Sequence, residues 1–294
     1  MIKFFLMNPI GFCFGVDKAI KMANSALVKY GSPIYVFNYL VHNNYVTKNL
    51  ENKGLIFVKD ISRIPNYSVV MISAHGISKK TLKLIKKKHL VDLLNTTCPL
   101  VRTVHTKILK ASSKNAEVIL IGKSGHPEIE GTLGHYDNNS SGIYLIESVE
   151  DVDYLKVKNA DNLFCITQTT LSVLKVEKII SCLVKKFPKI KFSKNGNICH
   201  VVAQRQFYTR KLLKIVDLMI VIGSRYSSNA CCLLDISLES GKPSYLIDSV
   251  LEIDQSWFHN ISYVGVVSGT SVPYVIVQEI VKFLKKIGEV FIYE

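Results

Sequence analysis

Three cysteines, Cys13, Cys98 and Cys199, stand 85 and 101 residues apart, and each is followed in step by polar side chains suited to holding an anion. The first polar group downstream is His42-Asn43, then His126-Pro127-Glu128, then Ser227-Ser228-Asn229, at 28 or 29 residues from the cysteine each time. A second group follows at Ser73-Ala74-His75-Gly76, Gln168-Thr169-Thr170 and Gly269-Thr270-Ser271, 62, 71 and 72 residues from the same cysteines. Thiolates bind soft metals. Imidazole, hydroxyl and amide groups at helix starts bind phosphate together with free backbone N–H groups. One cysteine and two binding turns per unit, three times over, describes three similar domains that face a single centre.

The thiols by themselves leave two metal chemistries open. Zinc takes four ligands in a structural site or three plus water in a catalytic one, and a histidine completes either set. An iron–sulfur cluster held by three cysteines keeps one iron open to polarise a substrate oxygen. Three widely spaced cysteines, each followed by anion-binding turns, favour the open cluster. Around them, His42, His75, His126, Thr169, Thr170, Ser227, Ser228, Asn229 and Ser271 are all polar, and none is Lys or Arg, so helix starts rather than cations would hold a phosphorylated ligand. Taken singly, Ser, Thr and Asn at such places are helix caps. Their registry with the cysteines is what points to binding. Glu128 is the one carboxylate in any of the six groups and is the candidate proton donor. Glu130 reads as a first-turn helix carboxylate. Cys165, Cys182, Cys231 and Cys232 lie in apolar patterns and read as small buried hydrophobes, and His89, His105 and His259 as surface or satisfied core groups.

To bring those groups together the chain needs parallel strands that end at the polar turns. Short continuous β-branched or aromatic runs predict strands at 34–37, 69–72, 118–121, 163–166, 219–222 and 263–267. Helical spacing follows at Leu82 and Ile85, at Leu171, Val176, Ile179 and Leu183, and at Val277, Ile280, Val281 and Leu284. The chain is therefore α/β throughout, and its ligands sit beyond the carboxyl ends of the strands. Runs at 91–94 and 189–192 close the first and second domains, and by the same logic Phe4-Phe5-Leu6-Met7 closes the third. The expected domains are 14–97, 98–196, and 197–294 together with 1–13.

With 294 residues the chain builds its cores without disulfides or metals, so stability does not explain the cysteines. An odd total of seven cysteines suits a reducing compartment with ligands and bystanders better than a disulfide framework. No apolar run reaches the ~20 residues of a membrane span and no signal segment is legible, so a soluble, cytoplasmic protein is expected. The net charge of +14 invites a nucleic-acid reading. Yet the Lys runs at 86–88, 185–186 and 285–286 fall late in predicted helices, where cations suit the dipole, and arginine occurs only at 63, 102, 205, 210 and 225. Neither a nucleic acid nor a membrane is expected as partner.

At these same positions the chain resembles the 4-hydroxy-3-methylbut-2-enyl diphosphate reductases, the last enzymes of the methylerythritol phosphate route to isoprenoids. The motifs that carry the likeness run from Asn8-Pro9-Ile10-Gly11-Phe12-Cys13 through Val41-His42-Asn43, Ser73-Ala74-His75-Gly76 and Thr97-Cys98-Pro99 to Gly125-His126-Pro127-Glu128. They continue at Thr167-Gln168-Thr169-Thr170, Ile198-Cys199 with Arg205-Gln206, Ser227-Ser228-Asn229 and Gly269-Thr270-Ser271-Val272-Pro273. The resemblance implies a pseudo-threefold trefoil of three α/β domains around one 4Fe-4S cluster on Cys13, Cys98 and Cys199. It implies that the substrate hydroxyl meets the open iron, that His42, His75, His126, Ser227, Ser228, Asn229 and Ser271 hold the diphosphate, and that Glu128 supplies the proton with Thr169 orienting the alcohol. It further implies isopentenyl and dimethylallyl diphosphate as products. A small ferredoxin or flavodoxin would bring the electrons, since no dinucleotide fingerprint is present. Two positions depart from the family pattern. Val201-Val202 replace the usual Ala-Thr, which removes a hydroxyl near the cluster, and Tyr274 replaces a common acidic residue outside direct substrate contact.

Two other classes share these residues. A hydro-lyase would use the open iron to move water without electrons, and turns over with no reductant. A metal or anion sensor would need no acid and leaves Glu128 without a role.

Overall fold

Each short β-branched run folds as a strand and each amphipathic stretch after it as a helix, so βα units succeed one another along the chain. The structure is a computed structural model and describes residues 1–138, 140–193 and 197–294. The first part contains β1 (Ile2–Met7), α1 (Phe14–Tyr30), β2 (Ile34–Phe37), α2 (Asn44–Asn52), β3 (Leu55–Val58), β4 (Val69–Ile72), α3 (Lys79–Lys86) and β5 (Asp92–Asn95). There follow α4 (Pro99–Ser113), β6 (Glu117–Ile121), α5 (Pro127–Leu133), β7 (Ile143–Ile146), α6 (Val149–Tyr154), β8 (Leu163–Thr167), α7 (Val173–Lys186) and β9 (Lys191–Phe192). The last part holds α8 (His200–Leu212), β10 (Leu218–Ile222), α9 (Ser228–Glu239), β11 (Ser244–Ile247), β12 (Tyr263–Ser268), α10 (Tyr274–Leu284) and β13 (Gly288–Tyr293).

The strands form three parallel sheets, ordered β3-β2-β4-β5, β7-β6-β8-β9 and β11-β10-β12-β1-β13. The first four positions of each sheet follow one plan. The central strands are buried on both faces, as their unbroken apolar runs require: β4, β6 and β10 are covered at every residue. In the third sheet the fourth place is taken by β1, which pairs with β12 in the register Phe4↔Val264 and Leu6↔Val266. The amino-terminal strand thus closes the last sheet, as expected from Phe4-Phe5-Leu6-Met7. Phe4 locks it there by packing edge-to-face on Phe258, centroids 5.6 Å apart.

Four strands escaped the sequence reading. β3, β7 and β11 are four-residue edge strands only partly covered, and β13 lies outside β1 with most of its residues exposed or half-buried. β3 and β7 nevertheless carry unbroken runs of their own, Leu55-Ile56-Phe57-Val58 and Ile143-Tyr144-Leu145-Ile146, of the kind that marks the strands expected from sequence. Two expectations are corrected. Leu171 precedes α7, because the Ser172 hydroxyl accepts from Lys175 N and caps the helix there. The strand before Cys199 shrinks to Lys191–Phe192, just after Pro188, which has no N–H to offer a ladder.

The chain divides into two compact units. One comprises Met1–Asp17, Val41–Asn49 and His200–Glu294 and contains the five-stranded sheet. The other comprises Lys18–Leu40 and Leu50–Cys199 and contains both four-stranded sheets. Gly196, where the expected second domain ends, lies outside the described residues. Among the described residues no helix is long and apolar enough to cross a membrane.

Candidate functional site

Each of the three registered cysteines stands directly before a helix, Cys13 before α1, Cys98 before α4 and Cys199 before α8. Their backbones are held in one way. Cys13 N donates to Thr270 O (3.0 Å), Cys98 N to Ala74 O (2.9 Å) and Cys199 N to Thr169 O (2.9 Å). The three acceptors belong to the turns that follow β12, β4 and β8, the third strands of the three sheets. The cysteine that follows each fourth strand is thus tied to the polar turn of its neighbour and stands at the N-terminal, positive end of the helix behind it. All three cysteines are half-buried and lie outside any disulfide among the described residues.

In the first unit, Gly11 adopts φ +83°, a left-handed conformation that lets the chain turn from β1 to Cys13. His42 is half-buried, and burial lowers its pKa, so the ring is neutral at pH 7 and offers an N–H rather than a charge. The Ser271 hydroxyl donates to His42 O (3.1 Å) and joins the two turns. Asn43 serves as a cap, its Oδ1 accepting from Val46 N (3.0 Å). Ser227 caps α9 by accepting from Ala230 N, and Ser228 opens the helix, half-buried. Asn229 is 2 % exposed, yet neither its amide nitrogen nor its oxygen has a hydrogen-bond partner among the described residues. Two unsatisfied buried groups cost about 1–3 kcal/mol each.

In the second unit, His75 and His126 meet edge to face, ring centroids 5.7 Å apart. His126 caps α5, its Nδ1 accepting from Glu128 N (3.1 Å), which leaves the neutral ring's proton on Nε2. Glu128 is 2 % exposed and receives Thr169 N on Oε1 (2.8 Å) and the Thr169 hydroxyl on Oε2 (2.9 Å). Burial outweighs those two hydrogen bonds and raises its pKa to about 7. The carboxyl, Thr169 and Cys199 form one connected chain, because Thr169 O takes the Cys199 N–H. A second buried carboxylate, Glu117, has another role. At the start of β6 it accepts from Tyr144 OH, Lys158 N and Asn159 N, which satisfies it structurally.

Gln168 was read only as part of a polar turn, and its side chain is the scaffold of that turn. Its Oε1 accepts from Lys123 N (3.0 Å) and its Nε2 donates to the Thr170 hydroxyl (3.1 Å). Thr170 thus braces the turn. Cys165 and Cys232 are buried as expected, and burial drives the Cys165 pKa to about 12. Cys182 and Cys231 are only half-buried, which corrects the reading of them as buried, and Cys231 Sγ donates to Arg225 O. Glu130 is exposed in the first turn of α5 as expected. His105 is buried and stacked on His135 at 3.9 Å, but its Nε2 has no hydrogen-bond partner among the described residues, so it is not a satisfied core histidine. Val202 is buried in α8 and Tyr274 exposed at the start of α10.

Each of the three thiols is a soft donor on an anchored segment, and such donors suit an iron–sulfur group. Among the described residues no three His, Cys, Asp or Glu side chains gather to chelate a single ion.

The family model for the LytB protein matches residues 4–285 of the chain. The 4-hydroxy-3-methylbut-2-enyl diphosphate reductase of Hamiltonella defensa subsp. Acyrthosiphon pisum is 48 % identical over 287 residues, covering 98 % of this chain and 90 % of the relative. Its namesake from Buchnera aphidicola subsp. Acyrthosiphon pisum (strain Tuc7) is 47 % identical over 283 residues, covering 96 % and 88 %. Among solved structures, the E-1-hydroxy-2-methyl-but-2-enyl-4-diphosphate reductase from Plasmodium falciparum superposes with a TM-score of 0.93 at 35 % identity, covering 99 % of this chain and 92 % of that one.

Proposed function

The chain belongs to the LytB protein family, and from that premise we propose that it is a 4-hydroxy-3-methylbut-2-enyl diphosphate reductase, closing the non-mevalonate route to isoprenoids. The reaction breaks the allylic C–O bond. Two electrons and one proton pass to the carbon skeleton, and the oxygen leaves as water after taking a second proton. The observation that carries the reading is the connected chain of Glu128, Thr169 and Cys199, a buried acid poised near neutrality and hydrogen-bonded to the turn that anchors the Cys199 backbone.

We assign Cys13, Cys98 and Cys199 as holders of one 4Fe-4S cluster, which when bound supplies electrons and a Lewis-acidic iron. Ser227, Ser228, Asn229, Ser271 and His42 are assigned to the diphosphate together with His75 and His126, as donors at helix starts and strand-end turns. Asn229 exchanges two unsatisfied buried atoms for hydrogen bonds to that ligand. Thr169 orients the alcohol, and Glu128 holds the proton that the departing oxygen takes. The 14–97, 98–196 and 197–294 plus 1–13 division is proposed to reflect three copies of one βα unit, each lending a cysteine. The electron donor is assigned as a ferredoxin or flavodoxin, and the compartment as the cytoplasm. The hydro-lyase reading falls if anaerobic turnover requires reductant.

Two expected results follow from the site. Turnover at saturating substrate should hold below pH 7 and fall about tenfold per unit above it, as the Glu128 proton is lost; a flat profile from pH 6.5 to 9 contradicts the acid assignment. Asn229→Ala should raise KM by about tenfold or more, the loss of at least one hydrogen bond to a charged ligand. Without substrate it should melt no lower than wild type, since an orphan amide has been removed. The basic charge should prove incidental: any affinity for nucleic acid should be weak and collapse with salt.

A further inference from the structure

Arg205, on α8, is 1 % exposed, the largest side chain so fully covered among the described residues. Its Nη1 donates to Ser268 O and to the Ser268 hydroxyl (3.2 Å), and its Nη2 donates to Gly11 O (2.7 Å). Those acceptors lie on two segments that both matter. Ser268 ends β12 and stands three residues before Ser271, whereas Gly11 stands two residues before Cys13. The same two segments meet again where Cys13 N donates to Thr270 O (3.0 Å). The result is a closed ring of hydrogen bonds: guanidinium, Gly11 to Cys13, Thr270 back to Ser268, and guanidinium again. From that ring Ser271 reaches on to His42 O (3.1 Å).

We propose that Arg205 is a positioning residue that clamps the Cys13 loop to the Ser268–Ser271 turn, fixing the spacing between a cluster ligand and the diphosphate contacts Ser271 and His42. A planar fork is suited to this. It serves two carbonyls on different segments at once, which a single lysine ammonium on a flexible stem does not do in a fixed geometry. Gly11 takes part because its left-handed conformation sets the direction of the segment whose carbonyl receives Nη2. The clamp explains why a cation is buried here although no sequence pattern marks it as a binding group.

The proposal rests on the reading of Cys13 as a cluster ligand, and Arg205→Lys tests it with two measurements. In iron-free protein, alkylation of Cys13 by iodoacetamide, followed peptide by peptide against Cys231 as internal reference, should speed up about fivefold or more. In cluster-loaded enzyme, KM for the diphosphate substrate should rise about tenfold while kcat changes less than about threefold, because Glu128 and Thr169 are untouched. Thr209→Val is the control. It removes an equally buried hydrogen bond on the same helix, Thr209 Oγ1 to Arg205 O (2.7 Å), without opening the ring. Should Arg205→Lys fail to fold, Ser268→Ala removes one acceptor of the fork and should give the same two changes at about twofold to threefold. Wild-type alkylation and KM in the folded variant, or equal changes in Thr209→Val, overturn the clamp. A wild-type protein that takes up no cluster overturns the cluster reading instead, and the alkylation rates still decide the clamp.

Discussion

Replacing Glu128 by glutamine is expected to leave the iron–sulfur absorption and substrate binding intact and to cut turnover by about 10²–10⁴-fold, the usual contribution of a positioned acid. The amide has the shape of the carboxyl and keeps its place, with Oε1 accepting from Thr169 N and Nε2 donating to the Thr169 hydroxyl, where the carboxylate receives both donors. What it lacks is a proton to release. A stability measurement distinguishes this from damage to the fold. The folded pKa of Glu128, about 7, lies above its ordinary value of 4.5, so the favourable contribution of the protonated group is complete below pH 4.5 and is lost as pH rises through 7. Glutamine has no such loss, and above pH 7 the variant should be more stable than wild type by on the order of 3 kcal/mol. Denaturant unfolding at pH 5 and pH 8 reads that difference. Wild-type turnover in Glu128→Gln with the cluster present means that another group delivers the proton. Thr169→Val should cost less than Glu128→Gln, since it removes an orienting hydroxyl and leaves the acid.

Changing any one of Cys13, Cys98 or Cys199 to serine is expected to strip most of the iron and nearly all activity, whereas Cys165→Ala and Cys232→Ala keep both. Serine retains the size of cysteine but is a hard oxygen ligand that stays protonated near neutral pH, and soft thiolate is what such clusters select. The backbone tie of each cysteine to its neighbouring turn survives the change, so the loss is a ligand effect and far-ultraviolet circular dichroism should be unaltered. Cys165 differs in kind: burial inside β8 holds its pKa at about 12, so the thiol stays protonated and offers no ligand. Iron per chain after anaerobic purification is the measurement. Full iron in Cys98→Ser would refute the ligand assignment.

Much of this site is written locally. The spacing of three cysteines and six polar turns is a property of the string, and the unbroken runs that become β4, β6 and β10 announce parallel strands because a strand covered on both faces has no room for polar residues. Ligands gather at the carboxyl ends of such strands for a reason equally local, since each turn there opens a helix with free N–H groups. Even the closing of the third sheet by β1 was legible, because Phe4-Phe5-Leu6-Met7 stands before Cys13 as the runs at 91–94 and 189–192 stand before Cys98 and Cys199.

Other properties exist only once distant segments touch. Glu128 is marked in the string only as the one carboxylate among the polar turns; its pKa is raised toward neutrality because the fold buries it against Thr169, 41 residues on, and burial outweighs the two hydrogen bonds offered in return. Asn229 stands in a polar strand-end group that the spacing marks as anion-binding, and only the packed structure leaves its amide buried without a hydrogen-bond partner among the described residues. Arg205 is a motif companion in the string and a clamp in the fold, because Gly11 is 194 residues away and Ser268 is 63. The sequence by itself determined which groups can do chemistry and at which strand ends they stand, for periodicity and residue type act over a few neighbours. The tertiary structure decided their protonation, their unsatisfied valences and their mutual bracing, for desolvation and hydrogen bonding depend on what is packed nearby, however far off it lies in the chain.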